Sequence, residues 1–307
     1  MALVRLGGAK CRLEYLSEGG ANFIFRILPE ERNAGDLPPR LTRKLLRLRK
    51  QSIANPEDLL SGEQEWQAIF PAKNLVQHEL VDLQPGAKTI VNDLIRKAKG
   101  RPAHRMGDVW PGGTHGVLVT DMSPGQSEQL IELKPKWLAQ SPDAPPQARR
   151  CRTCALRAQR AAGEGIATAT DAQGSCPLDL VSDSVQSKRL AAARLTDVPR
   201  AQEFLVGEEA QFLFRTLKEY QQRWDSVGIL SLDTNSDLRS LSKAMTVRDC
   251  TLFVLVKSDG EVEGRLGDLD MKGLDKLAKW RATEQGLVDG GWYMGVVDHI
   301  CSLSRAK

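Results

Sequence analysis

Apolar and polar positions alternate over residues 12–27, with Phe23, Phe25 and Ile27 on one side of a period-two pattern and Ile24 and Arg26 on the other. The Gly19-Gly20 pair within that stretch predicts a hairpin. A loop rich in Pro, Gly and Asp (residues 29–39) then precedes a third strand, Leu45-Leu46-Arg47-Leu48. Residues 56–98 read as helical, with breaks at Pro71 and Pro85. Gly112-Gly113 opens a short strand at 117–120, residues 121–125 read as a turn or hinge, and another strand follows at 130–133.

The second half mixes helix and strand. Residues 138–150 form a Pro- and Gln-containing loop, and 161–175 an Ala/Gly/Thr-rich linker. Leu213, Leu217, Tyr220 and Trp224 recur at helical spacing, which predicts an amphipathic helix over 208–226. The apolar run 251–256 reads as a buried strand, turned by Ser258-Asp259-Gly260 into a partner at 262–266. A last long helix is expected near 274–283. No internal repeat is visible. The economical architecture is α+β, with two lobes meeting near Asp121: residues 1–121 and residues 122–307.

Composition narrows the class. The 307 residues are 41% hydrophobic and 27% charged, as in an ordinary globular protein. No apolar run approaches the roughly 20 residues that span a bilayer, and the N-terminus lacks a signal-peptide pattern, so no membrane partner is expected. Six scattered cysteines suit reduced thiols inside a cell better than a disulfide scaffold. The net charge of +4 is modest, and a general nucleic-acid binder spreads more positive charge, so no stable nucleic-acid partner is expected. The charge is instead local. Five arginines stand between Arg149 and Arg160 with no acid among them, and Lys134-Pro135-Lys136 precedes them. Such density suits a ligand carrying several phosphates.

Several motifs carry candidate chemistry. Glu18-Gly19-Gly20-Ala21-Asn22 can bring backbone amides against phosphate oxygens without an obstructing Cβ; the plain alternative is a tight turn. Arg47 on the next strand resembles the strand-borne cation that grips nucleotide phosphates in kinase-like folds, or is a surface arginine in a basic run. Asp249 precedes one strand of a hairpin, and Asp268 and Asp270 end the other. Two acids at adjacent strand ends can share Mg²⁺, though each could instead cap a turn. Cys151-x-x-Cys154 with Cys176 raises structural zinc, yet no fourth ligand is evident nearby, and His104 and His115 are loop candidates alone; zinc is therefore not expected. No Ser or Cys stands near His78, His104, His115 or His299 in a triad pattern.

Taken in order, EGGANFIFR (18–26), LLRLRK (45–50), VTDMSP (119–124), IELKPKWL (131–138), RRCRTCALRA (149–158), CPLDL (176–180), AMTVRDCTLF (244–253) and GDLDMK (267–272) resemble the inositol-pentakisphosphate 2-kinase family, particularly its fungal members. Each motif is weak and the ordered set is specific. The resemblance implies a two-lobed inositol phosphate kinase fold, distantly related to protein kinases, with an ATP cleft between lobes. It implies that Gly19, Gly20, Ala21 and Asn22 cover the ATP phosphates, that Arg47 contacts them, and that Asp121 and Met122 form the hinge facing adenine. Lys134 and Lys136 would reach the transferred phosphate and the inositide. Asp249 would be the catalytic aspartate and a Mg²⁺ ligand, with Asp268 the second ligand. Arg152, Lys272, Lys276 and Trp280 would bind substrate; Arg152, Lys276 and Trp280 replace a lysine, an arginine and a tyrosine of relatives. A substrate-binding asparagine pair and the zinc segment of plant members are not evident.

The expected activity is ATP- and Mg²⁺-dependent phosphorylation of the 2-hydroxyl of inositol 1,3,4,5,6-pentakisphosphate, by a monomer residing in the nucleus or cytoplasm. Two alternatives stay open: a kinase of the same fold with another acceptor, and a zinc-stabilised inositide- or RNA-binding protein.

Overall fold

Antiparallel pairing of strands organises the first part of the chain. In the computed structural model, β1 (Leu3–Leu6), β2 (Ala9–Glu18), β3 (Asn22–Leu28), β4 (Lys44–Arg49), α1 (Glu63–Gln67), β5 (His78–Asp82), α2 (Ala87–Lys97) and β6 (His115–Thr120) follow one another. The structure describes residues 3–30, 37–51, 57, 60, 62–163, 175–233, 236–295 and 301–305. Among the described residues these strands form one antiparallel sheet in the order β1-β2-β3-β4-β6-β5.

The predicted alternation sets the faces of this sheet. Phe23, Phe25 and Ile27 point into a core with Leu46, Leu48 and Leu118, and α2 covers it with Ala87, Val91 and Ile95. Gly116 is required where β6 crosses that core, because a Cβ there would stand 2.8 Å from the Leu46 side chain. The opposite face carries Leu45, Val117 and Val119. Arg47 shares it, being directly opposite Ile24 and Val117.

Two strands correct the sequence reading. β1 lies outside the expected hairpin and pairs with β2 from Leu3↔Arg12 to Leu6↔Ala9. β5 falls within the stretch read as helical; its polar run offers little period-two signal, and pairing to β6 from His78↔Val119 to Asp82↔His115 decides its conformation. Part of the loop expected at 29–39 lies outside the described residues.

The chain divides into two compact units, Met1–Ser123 and Pro124–Lys307. The second unit comprises β7 (Gln129–Leu133), α3 (Arg152–Gly163), α4 (Val185–Leu195), α5 (Pro199–Val206), α6 (Glu208–Trp224), α7 (Leu238–Val247), β8 (Thr251–Val256), β9 (Val262–Gly267), α8 (Leu277–Asp289) and α9 (Ser302–Arg305). Its strands form an antiparallel sheet in the order β7-β8-β9, and Gly260 turns β8 into β9 with φ 86°. α3 starts within the basic stretch and reaches residue 163, so it takes the first residues of the expected linker; residues 164–174 lie outside the described residues. α6 buries Leu213, Phe214, Leu217 and Gln221, whereas Tyr220 and Trp224 sit at the margin, their rings 4.6 Å apart. Asp237 caps α7 by accepting from the amides of Arg239 and Ser240. Among the described residues no helix is long and apolar enough to cross a membrane.

Candidate functional site

The register of the second sheet gathers residues distant in sequence. Leu133 pairs with Leu252 and Thr251 with Gly267, so the end of β7, the start of β8 and the end of β9 lie side by side. Lys134, Asp249 and Asp268 emerge there. Lys134 Nζ donates to the Asp249 carbonyl at 2.8 Å and lies 3.7 Å from Asp249 Oδ1 and 3.5 Å from Asp268 Oδ2. Lys136 Nζ reaches Asp249 Oδ1 at 3.3 Å, and Lys272 Nζ donates to Asp249 Oδ2 at 2.8 Å. Both oxygens of Asp249 thus face ammonium groups. Burial pushes its carboxyl up, but the Lys272 hydrogen bond and the charges of Lys272, Lys134 and Lys136 outweigh this and hold it below the ordinary carboxylate range.

Backbone placement here is costly. Lys136 and Asp268 adopt left-handed conformations, φ 61° and 55°. For a lysine this costs on the order of 1 kcal/mol, so surrounding contacts must impose it. Gln221, fully buried on α6, supplies them: its Nε2 donates to the Lys136 carbonyl at 2.8 Å, and its Oε1 accepts from the Leu138 amide at 2.8 Å. Between those two peptides Trp137 lies under two guanidinium groups, Arg248 at 3.6 Å and Arg152 at 4.6 Å from the ring centroid. Arg248 is held by Asp225 at 2.6 Å, both side chains being buried. Asp268 accepts from Thr251 Oγ1 at 2.5 Å. α7 fixes Lys272, whose amide donates to Thr246 Oγ1 at 3.0 Å and whose carbonyl accepts from Ser242 Oγ at 2.5 Å.

A cavity of about 390 Å³ opens beside Asp249. Eight lysine or arginine side chains line it, against Asp249 as the one carboxylate among the described lining residues. Of the expected substrate residues, Lys136, Arg152, Lys272, Lys276 and Trp280 line this cavity, and Lys134 is not among its lining residues. Arg152 also donates through Nε to buried Glu284 at 3.1 Å, so part of its charge is already matched. Arg160 of α3 and Lys279 of α8 line the cavity too. Arg160 belongs to the basic stretch read as suited to several phosphates, whereas Lys279 was absent from the sequence expectation, although it stands three positions beyond Lys276. Gln221 could have been suspected as an amide four residues beyond Leu217 on the apolar face of a predicted helix.

The remaining expected residues belong to the first unit. Gly19, Gly20, Ala21 and Asn22 form the turn between β2 and β3, closed by the Gly19 amide on the Asn22 carbonyl at 2.9 Å and tied to β4 by the Lys50 amide on the Ala21 carbonyl at 2.8 Å. Its base is braced by the fully buried carboxylate of Glu18, which receives Arg101 at 2.6 Å and Lys50 at 2.5 Å. Burial raises the Glu18 pKa, yet these partners dominate and hold it at about 2. Lys50 also meets Asp108 at 2.5 Å and lies 4.7 Å from the Phe23 ring centroid. Asp121 accepts the Ser123 amide at 2.8 Å, and Met122 is buried.

Elsewhere in the second unit, the expectation that no fourth ligand accompanies Cys151, Cys154 and Cys176 is overturned. Cys301 joins them, all four sulfurs lie within 4.8 Å of one another, and all four residues are buried. His104 and His115 belong to the first unit.

An aspartate ringed by lysines thus stands beside a cavity lined with cations. The sequence model of the inositol-pentakisphosphate 2-kinase family matches residues 15–222 and 213–286, and the chain belongs to this family. It is 32% identical over 193 residues to the inositol-pentakisphosphate 2-kinase of Yarrowia lipolytica (strain CLIB 122 / E 150). That match spans 59% of this chain and 59% of the relative's length.

Proposed function

We propose that the chain transfers the γ-phosphoryl group of ATP to the 2-hydroxyl of inositol 1,3,4,5,6-pentakisphosphate, giving inositol hexakisphosphate and ADP. The observation that carries this reading is the cationic cavity opening onto Asp249. A ring bearing five phosphates needs many donors around a small volume, and a neutral or singly charged acceptor does not.

In this reading Lys136, Arg152, Lys272, Lys276 and Trp280 hold the inositide, with Arg160 and Lys279 adding charge. Asp249 orients the 2-hydroxyl and accepts its proton. Because its lysine neighbours make it a weak base, it takes that proton only as the new O–P bond forms, in keeping with transfer governed by positioning and charge neutralisation. Lys134, close to both carboxylates, meets the charge of the migrating phosphoryl group. The Gly19–Asn22 turn and Arg47 grip the ATP phosphates, and Asp121 and Met122 face the adenine.

Asp249 and Asp268 would hold Mg²⁺. An all-oxygen pair suits this hard cation, and the ammonium of Lys134 already lies within 4 Å of both carboxylates, marking a locus that demands positive charge. Bound there, Mg²⁺ supplies charge neutralisation on phosphate oxygens. Six free, buried cysteines support an intracellular setting, nuclear or cytoplasmic.

An acceptor panel tests the assignment. The pentakisphosphate lacking its 2-phosphate should be consumed far faster than inositol phosphates with three or fewer phosphates. Equal rates across the panel would replace this reading with a kinase of broader acceptor range.

A further inference from the structure

We propose that Glu284, buried on α8, is a positioning residue for the acceptor. It holds Arg152 by one edge of the guanidinium, so that the other edge meets a phosphate of the substrate. The inference rests on the reading that the basic cavity takes inositol pentakisphosphate, and it adds a residue from outside that cavity. Glu284 is not one of the described lining residues, and it is 1% exposed.

Arg152 is fixed at three points. Its amide donates to Gln140 Oε1 at 3.0 Å, its guanidinium lies 4.6 Å from the Trp137 ring centroid, and its Nε donates to Glu284 Oε2 at 3.1 Å. A guanidinium carries five N–H donors in a planar fork, and only the one on Nε is used here. Among the described residues Nη1 and Nη2 have no protein partner, and Arg152 lines the cavity. The edge formed by these two nitrogens matches two phosphate oxygens at once. Arg248 makes the contrast, since it also lines the cavity and lies over the same ring. Its Nη1 donates to Asp225 at 2.6 Å and its Nη2 to the Gln221 carbonyl at 3.3 Å, so that edge is already occupied by protein.

Glu284 is held in turn. Ser141 Oγ donates to its Oε1 at 2.7 Å, and the buried Tyr293 hydroxyl donates to the same oxygen. Burial and the neighbouring carboxylate push the Tyr293 phenol well up, so it stays protonated and donating. Both donors use Oε1, and among the described residues Arg152 is the partner of Oε2. α8 also presents Trp280 and Thr283 to the cavity, so one helix lines it directly and acts on it through Arg152. A lysine at position 152 could not serve both partners. Its ammonium is a point charge, and a buried carboxylate, costly to leave unpaired, would draw it away from the substrate.

The test is calorimetric binding of inositol 1,3,4,5,6-pentakisphosphate to the full chain, with KM and kcat measured alongside. Glu284→Gln keeps the acceptor for Ser141 and Tyr293 and turns an N–H₂ group toward Arg152 Nε. The Kd and the KM for the pentakisphosphate should each rise about tenfold or more, with a far smaller fall in kcat and the KM for ATP unchanged. Combined with Arg152→Ala, the same change should weaken binding no further, because no guanidinium is left to aim. Arg152→Lys retains a cation for Glu284 and should lose most of the affinity that Arg152→Ala loses, which keeps the proposal refutable if Glu284→Gln fails to fold. Wild-type Kd in Glu284→Gln or in Arg152→Lys, or equal losses from Glu284→Gln with and without Arg152, would overturn the positioning role and leave the acceptor assignment standing. A wild-type chain that binds the pentakisphosphate without phosphorylating it would overturn the proposed reaction, with the positioning role still decided by these Kd ratios. No binding at all would overturn both.

Discussion

Gln221 donates its side-chain amide to the carbonyl of Lys136 across 2.8 Å, and the same side chain accepts from Leu138. One buried residue of α6 therefore fixes both peptides flanking Trp137 and holds Lys136 in its left-handed conformation, with its ammonium on Asp249. Substituting Gln221→Leu keeps the volume and strands a buried carbonyl and amide, which costs about 1–3 kcal/mol of stability. Turnover should drop while the KM for ATP stays put. Gln221→Glu, which keeps the acceptor for Leu138, should recover part of the loss. Stability loss with an unaltered kcat would reduce Gln221 to a packing residue.

In the proposed mechanism Asp249 accepts the proton of the 2-hydroxyl. Asp249→Asn preserves the shape and removes the base, so kcat should fall by about 10²–10⁴. Nucleotide binding, followed by calorimetry, should survive the change. Wild-type turnover in this variant would remove Asp249 from the chemistry.

The Glu18 carboxylate makes a prediction about acid. Its folded-state pKa is about 2 against an ordinary 4.5, so its contribution is fully present above pH 4.5 and is lost as pH falls toward 2. The difference corresponds to roughly 3 kcal/mol across that window. Glu18→Gln leaves Arg101 and Lys50 without their shared carboxylate and should destabilise the chain by about 3–5 kcal/mol at neutral pH. Denaturant melts at several pH values check this, since the variant should lose less stability than wild type between pH 4.5 and 2. Parallel pH profiles for the two proteins contradict the account.

Arg160 and Lys279 should act on the acceptor alone. Replacing both with alanine is expected to raise the KM for the pentakisphosphate about tenfold or more, since each charge-assisted contact is worth about 1.5–3 kcal/mol before solvent screening reduces it. The KM for ATP serves as the internal control. A matching rise for both substrates would place these residues in general electrostatics and not in acceptor binding.

What the sequence revealed follows from how local each signal is. Phe23, Phe25 and Ile27 declare their strand by alternation, and Ser258-Asp259-Gly260 declares the turn that sets Asp268 near Asp249. The ordered motifs then identified Lys134, Lys136 and Lys272, which the structure gathers on Asp249. Signals that depend on distant partners were silent. Cys301 lies 125 residues beyond Cys176, with no spacing rule to join them. Strand β5 has a short polar sequence, and its partner β6 decides its form. Gln221 stands out as an amide on the apolar face of its helix, but its partner Lys136 lies 85 residues away and shows only in the structure.

The central claim is that this cationic cavity presents a pentakisphosphate to Asp249 for phosphorylation. Its most direct test is to incubate the purified chain with ATP, Mg²⁺ and inositol 1,3,4,5,6-pentakisphosphate and to follow products by ion-exchange chromatography. The account predicts inositol hexakisphosphate and ADP in equal amounts, formed about 10²–10⁴-fold more slowly by Asp249→Asn. Folded protein that forms no hexakisphosphate, or forms it equally well with Asp249→Asn, would contradict it.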